Sequence, residues 1–592
     1  MTNSVFVNTQ GLYQRRRAFN LSYRNDFTCN LGELVPVYWQ DLIPNTSWSC
    51  RTHGLVRFMP MISPMMDNVS LYIHFWQGPR RILEGEEFTK MITGESEDWP
   101  GIYFIPFDIL GALADLTGSD QEVMDYLTTD GSIFDMLGYS VKLFRGEVSG
   151  KLNARKFCMY FRLLSNWYTN ENVEPYQGFK DDVAVFDSLD FLVDYASGNI
   201  SALIAKIVYN FYDQFGTAGF ACHMWPKDYF TSALPTLQFG APTYLPLGES
   251  APVTASIQKG GTNHIELISG SSLGLELGSN SVIGTAGSEE HLGVVVSSDQ
   301  TRGVLETTEG AAINRVKGIV GNGTDAAVVG TVDLTEATAI TINELRVANA
   351  LQVFKEREMR FGRRAPEYYK GFYGVQPGDL RLQLPKFLGG GRIPIMISDI
   401  EQTSASEDGS TPQGNLAGKG TAIAASFSRA STFTAEEALV LGVAWLMPDV
   451  TYSDVLSRHD TKLNDRFDYY NPSFAHIGEQ EVFLWEINPQ YFNYNNVEFG
   501  YQPRYTEYRF HMNEMHGEFK NSLAYWSLGR IFDGVANFNS DFIYMQPSAL
   551  QRVFAVRTTS SGFLFRNVLV SLKFSVAVLQ PLSRYGTPGL MP

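Results

Sequence analysis

From Leu569 to Leu579 the chain alternates with a period of two: Val570, Leu572, Phe574, Val576 and Val578 share one side, and Ser571, Lys573, Ser575 and Ala577 the other. That pattern predicts an antiparallel strand with one face buried and the other wet. His53–Met59 alternates in the same way, with Val56 and Phe58 on one face and Leu55 and Arg57 on the other. Asn68–Trp76 is apolar on both faces, as a central strand covered from both sides would be. Leu31–Trp39 is apolar but broken by Pro36, and Ala438–Leu446, Glu481–Ile487 and Phe542–Met545 add further strand-like runs. Helical signals lie between them. Phe157, Phe161, Leu164 and Tyr168 recur at three- and four-residue spacing and so share a helix face, as do Leu203, Ile207, Val208 and Phe211. Ser119-Asp120-Gln121-Glu122 and Thr341-Ile342-Asn343-Glu344 read as capping boxes, in which a hydroxyl and a carboxylate satisfy each other's exposed backbone N–H groups. The second opens a helix expected to turn Leu345, Ala348, Leu351 and Phe354 inward.

Strands cluster at both ends of the chain, with helices and long loops between them, which is not the alternating order of a parallel sheet. If the first and last strands are neighbours, the fold is a mainly β sandwich of jelly-roll type, with helices and insertions growing from its loops. One insertion is marked by composition. Between Tyr244 and Phe354 there is no Phe, Tyr or Trp, although 13% of the chain is aromatic; at that average roughly fourteen would be expected. Gly, Ser, Thr, Ala and Val take their place, as in Gly260-Gly261-Thr262 and Gly321-Asn322-Gly323-Thr324. Such residues build strands and turns but bury little area. The organisation expected is a polar, basic N-terminal arm (1–18), a scaffold in two parts (19–244 with helical loops, and 346–592), and an insertion (245–345).

The 592 residues are 44% hydrophobic and 18% charged, enough for a large core and too little charge for a disordered chain. Four cysteines (Cys29, Cys50, Cys158, Cys222) are scattered without paired spacing, so neither a disulfide framework nor a zinc site is indicated, and a reducing compartment during folding is the simplest reading. No apolar stretch of signal-peptide type follows Arg15-Arg16-Arg17, and the longest apolar runs are about half of what a membrane helix needs. A net charge of −17 argues against a protein that coats nucleic acid with its whole surface, while leaving room for a local basic face.

Candidate chemistry is sparse. Gly270-Ser271-Ser272-Leu273-Gly274 matches the nucleophile elbow of hydrolases but sits in a Gly/Ser tract without the strand and helix that motif requires, so it reads as a turn. Gly321-Asn322-Gly323-Thr324-Asp325-Ala326 resembles a truncated dinucleotide loop, yet Val328, Val329, Val332 and Leu334 after it suggest a strand where a helix is needed. His511 and His516 are five residues apart, not the four-residue step of a helical zinc site, and Cys222-His223 lacks further ligands. No catalytic, cofactor-binding or metal-binding residue is assigned. The basic clusters are more informative. Arg15, Arg16 and Arg17 suit nucleic acid or a neighbouring subunit equally. Lys355, Arg357, Arg360, Arg363 and Arg364 read first as structural salt bridges near a helix end. Trp485 and Tyr491–Tyr494 are aromatic enough to anchor an interface or simply to fill a core.

Several segments, taken in order, carry a resemblance: FNLSYRNDFTCNLGELVPV (Phe19–Val37), RFMPMISPMMDNVSLYIHF (Arg57–Phe75), DYFTSALP (Asp228–Pro235), FYGVQPGDLRLQLPKFLGGGRIP (Phe372–Pro394), Gly478-Glu479-Gln480 and YGTPGL (Tyr585–Leu590). Together they resemble the major capsid protein of the Microviridae, small icosahedral single-stranded DNA phages, and in particular its gokushovirus-like branch. The resemblance implies an eight-stranded antiparallel viral jelly roll with long interstrand loops. It implies assembly of about sixty copies into a T=1 icosahedral capsid around a circular single-stranded DNA genome, with virion localisation after assembly in the host cytoplasm. It further implies a small basic DNA-binding packaging protein as partner, and a loop insertion that projects around the threefold axes toward a bacterial host surface receptor. The segment 245–345 is expected to be that protrusion. About sixty copies at −17 give a shell of roughly −1,000 formal charge, so the genome needs a local basic lining, and Arg15, Arg16 and Arg17 are the candidate nucleic-acid-binding residues. The competing reading is a phage tail or spike adhesin with a β-sandwich fold; a carbohydrate-active enzyme would need a carboxylate pair that the sequence does not locate.

Overall fold

The alternating segments pair into one antiparallel sheet that joins the two ends of the chain. A computed structural model describes residues 15–83, 104–106, 130–144, 151–170, 172–173, 221–238, 240, 342–361, 370–374, 384–401, 416–462, 465–492, 496–532, 534–557 and 565–584, together with six short strands between 257 and 320. The nine strands of the main sheet are β1 (Arg17–Asn20), β2 (Tyr23–Cys29), β3 (Val35–Leu42), β4 (Thr46–Phe58), β5 (Val69–Pro79), β6 (Lys386–Glu401), β7 (Leu416–Thr434), β8 (Ala438–Pro448) and β9 (Val568–Gln580). Their order is β1-β9-β4-β7-β6-β5-β8-β3, and β2 also pairs with β9. First and last strands are therefore neighbours, as the jelly-roll reading requires. Alternation sets the register. In β9 the residues Val568, Val570, Leu572, Phe574, Val576 and Val578 are buried, and Val570 lies opposite Val56 of β4, whose own even-numbered positions are buried. β5 lies between β6 and β8, the central position its two-sided apolar text predicts. Pro36 sits on β3 at the edge, at a shift of register against β8, where a missing N–H costs least.

The two ends of this order come back together. Tyr38 on β3 packs its ring 5.7 Å from Tyr23 on β2 and 4.9 Å from Phe574 on β9. Asn25 on β2 donates its side-chain amide to the Val37 carbonyl at 2.8 Å. The sheet thus closes over its own core as a jelly roll, with nine strands in its network among the described residues. Inside it Trp48 Nε1 donates to Tyr38 Oη at 3.0 Å.

Outside the sheet, the helix Arg155–Leu163 runs into a π-type turn at Leu164–Tyr168, and Phe157, Phe161, Leu164 and Tyr168 are all buried as their spacing predicts. The wider turn carries Tyr168 to a position where its hydroxyl meets Trp76 Nε1 and His74 Nδ1, each at 3.0 Å. All four cysteines are buried free thiols.

Three expectations are corrected. Glu481–Ile487 is a strand only as far as Phe483; Leu484–Ile487 is a helical turn, because the Glu486 carboxylate accepts the Phe483 N–H at 2.9 Å and caps it. Phe542 and Ile543 belong to a helical turn, Ser540–Ile543, started by Asn539, whose side-chain oxygen accepts the Phe542 N–H at 3.1 Å. In the helix Ile342–Phe361, Leu345, Leu351 and Phe354 are exposed rather than inward, and among its described side chains only Met359 is buried. Periodicity decides which residues share a helix face, not what covers it. Ser119–Glu122, Leu203–Phe211 and Thr341 lie outside the described residues.

By contacts the chain divides into two compact units, 1–239 with 356–592, and 240–355. In the second unit, Ile257–Gly260, His264–Leu267, Gly274–Leu277, Leu292–Val296, Arg302–Thr307 and Val316–Val320 pair in sequence order as an antiparallel meander. The residues Gly321–Ala326 and 328–334 are outside the described set.

Candidate nucleic-acid interface

Arg17 opens β1 and pairs with Gln580 of β9, so the end of the basic arm is already part of the sheet. Arg16 donates through Nη1 to Ser47 Oγ at 3.0 Å, and its guanidinium lies 5.8 Å from the centre of the Phe433 ring. Ser47 and Phe433 face each other across β4 and β7. Both line a groove of about 670 Å3 whose other walls include Ser49, Ser431 and Lys386. Phe433 is 57% exposed, so its ring face is open to a ligand. The structure brings Arg16 to this groove and leaves Arg15 and Arg17 exposed. A cation, a lysine, hydroxyls and an open aromatic face suit a phosphate backbone with stacked bases.

In the second basic cluster Arg360 has a structural partner. Arg360 pairs through Nε with the Glu479 carboxylate, and Glu479 is almost wholly enclosed. Burial pushes the Glu479 carboxyl up, and the Arg360 contact works against that shift. Gln480 follows, accepting the Tyr505 N–H at 3.0 Å and donating to Glu507 at 2.7 Å. Arg363 and Arg364 lie outside the described residues.

The remaining candidates take no catalytic form. His516 is exposed beside Glu514 at 3.3 Å, and His511 is exposed. His223 is a core side chain, bonded to the Met224 carbonyl at 2.7 Å and stacked on Trp445 at 4.3 Å. Gly270–Leu273 is outside the described set, and Gly274 begins a strand. Among the described residues no group of three His, Cys, Asp or Glu side chains could hold a metal. Trp485 is core, stacked on Phe483 at 5.6 Å, whereas Phe492 is exposed; Tyr494 lies outside the described set. Phe492 joins exposed Phe467, Tyr469, Tyr470 and Tyr508 in the long segment between β8 and β9, a stock of aromatics of the kind that anchors protein interfaces.

Sequence reasoning missed the polar hubs that hold these loops. Asp228 accepts the N–H groups of Phe230 (3.0 Å) and Thr231 (2.7 Å) and the hydroxyls of Thr231 (2.9 Å) and Tyr452 (2.6 Å). Its spacing to Thr231 was a readable side-chain turn signal; its bond to Tyr452 was not. Lys462 and Glu507 form a buried ion pair at 2.7 Å. Arg530 is enclosed by rings, 4.0 Å from the centre of Phe542 and 5.2 Å from that of Trp225.

The family described as Capsid protein (F protein) matches residues 7–590. The chain is 28% identical over 621 residues to Capsid protein VP1 of Chlamydia phage 1, which covers 97% of this chain and 96% of that protein. It is 28% identical over 594 residues to Capsid protein VP1 of Bdellovibrio phage phiMH2K, covering 98% and 97%. It is 25% identical over 591 residues to Capsid protein VP1 of Spiroplasma virus 4, covering 98% and 96%.

Proposed function

This chain belongs to the phage capsid protein (F protein) family, and on that premise we propose that about sixty copies close into a T=1 icosahedral shell around a circular single-stranded DNA genome. The protein is structural and a virion component whose copies assemble with one another. The end-to-end match, together with a closed β fold whose strand ends carry long loops, carries the reading. In it, residues 19–244 and 346–592 form the wall, and the segment 245–345 projects outward at the threefold axes to meet a receptor on the bacterial surface. Its Gly- and Ser-rich text fits a tolerant surface lobe. A chain of −17 repels the genome it encloses, so a small basic packaging protein and a local basic lining, including Arg15, Arg16 and Arg17, compensate.

Alanine at Arg15, Arg16 and Arg17 together tests the lining. Shell yield is expected to hold, because β1 pairs through backbone groups. DNA per particle, read as the ratio of absorbance at nucleic-acid and protein wavelengths, is expected to fall. Three lost phosphate contacts would reduce the slope of log affinity against log salt by about 2. Variant shells that fill normally with unchanged salt sensitivity would exclude the arm from DNA binding.

A further inference from the structure

The wet face of the main sheet carries cations in register across four strands. Lys573 on β9 lies opposite Arg24 on β2 and opposite His53 on β4. One step along β4, Arg51 lies opposite Arg429 on β7 and opposite Ser575 on β9. Residues directly paired across strands project to the same side. That side is solvent: Trp48, Cys50 and Thr52 on β4 and Leu572, Phe574 and Val576 on β9 are buried, whereas Arg24, Arg51, Arg429 and Lys573 are exposed.

Like charges directly opposite one another weaken a sheet, and the fold gains nothing from this placement. Among the described residues the one ion pair on this face is Arg24 with Asp26 at 2.8 Å, both well exposed. No acidic partner is present for Arg51, Arg429 or Lys573 among them. In a chain with 63 acidic and 46 basic side chains, four cations gathered on one face need a reason.

The track continues in one direction. Beyond Arg51 and Arg429 on the same side come Ser49 opposite Ser431, then Ser47 opposite Phe433, where Arg16 lies over the exposed ring. Cations, then hydroxyls, then an open aromatic face with its own guanidinium follow one another along β4 and β7. Four neighbouring strands span roughly 14 Å, and same-side residues repeat about every 7 Å along each. A polyanion with flat bases fits such a surface: phosphates on the cations, a base on Phe433.

We infer that the exposed face of β2, β9, β4 and β7 is a binding track for single-stranded nucleic acid, with Arg51, Arg429 and Lys573 neutralising phosphates and Phe433 stacking a base. The assignment rests on the proposed packaging of single-stranded DNA. It moves the main contact from the arginine triplet to the sheet itself.

Full-length protein released from shells and a labelled oligodeoxythymidylate, titrated by fluorescence anisotropy over a range of salt, provide the test. R51Q/R429Q/K573Q is expected to lower the salt slope by about 2, at roughly 0.7 per phosphate contact. F433A is expected to weaken binding about tenfold with the slope unchanged. Lys573→Gln alone, at a fully wet position, should lower the slope by about 0.7 and guards against a misfolded triple variant. Unchanged affinity and slope in these variants, beside a wild type that binds, would overturn the track and leave the packaging reading standing. Variants that bind DNA normally but fail to form shells would overturn it in favour of a contact with a second copy. A wild type without affinity for DNA would overturn the track and leave the genome's charge to the basic packaging partner.

Discussion

Gly391→Ala is expected to destabilise the subunit strongly. A methyl group on Gly391 would sit 2.0 Å from the Phe427 carbonyl oxygen, and on Gly390 it would sit 2.4 Å from that of Ile73. Gly389 adds a backbone at φ +140° that side chains rarely adopt. In this run β6 passes between the backbones of β5 and β7, so the obstacles are backbone carbonyl groups. No rotamer change relieves them. Overpacking a side chain costs about 1–3 kcal/mol; prying two strands apart belongs at or above the top of that range. Urea unfolding of the purified subunit should show a loss of about 3 kcal/mol or more for Gly391→Ala. Gly517→Ala is the control, with φ +68° but open space around it, and should lose only about 1 kcal/mol. A Gly391→Ala subunit within 1 kcal/mol of wild type, about the size of an average substitution, would contradict the packing described.

The second large effect is loss of stability in acid. His74 on β5 and His223 flank Trp445, at 4.7 and 4.3 Å between ring centres, and burial pushes both imidazoles down to about 4 from 6.5. Tyr168, Trp76, Phe387 and the Met224 carbonyl surround them, and among the described residues no carboxylate is in contact. Because the folded value lies below the unfolded one, the unfolded chain takes up protons first. Stability is therefore full above pH 6.5, falls as the pH drops toward 4, and levels off below that. Each histidine contributes roughly 3 kcal/mol to that fall. Glu33 and Glu486, whose carboxyls burial pushes up, oppose it within the carboxylate range. His223→Gln isolates the imidazole: its unfolding midpoint should lose about half of the dependence seen in wild type between pH 6.5 and 4. A variant with the wild-type pH profile would show that His223 does not titrate in this way.

How much of this was legible follows from what each signal encodes. Alternation names a buried face directly, so β4 and β9 could be read residue by residue, and the helical face from Phe157 to Tyr168 likewise. Short apolar runs could not be read, since Phe542–Met545 has the same text whether it pairs as a strand or coils as a turn. Asn539 settles that choice by capping the Phe542 N–H. Gly389-Gly390-Gly391 stood out only as part of a resemblance, because its cause is the approach of Ile73 and Phe427, which lie far away in sequence. The candidate site shows the same division. Arg15, Arg16 and Arg17 are conspicuous as neighbours in the chain, whereas Arg51, Arg429 and Lys573 become a cluster only through the pairing of β4 with β7 and β9. Local composition reveals local chemistry, and register reveals the rest.

Image reconstruction of purified particles bears most directly on the claim that this chain is the wall of a closed container. The account predicts icosahedral order with about sixty subunits, the segment 245–345 on the outside, and DNA density against the sheet face that carries Arg51, Arg429 and Lys573. Trimers with an elongated β-rich tip and no closed shell, or a shell with that segment turned toward the genome, would contradict it.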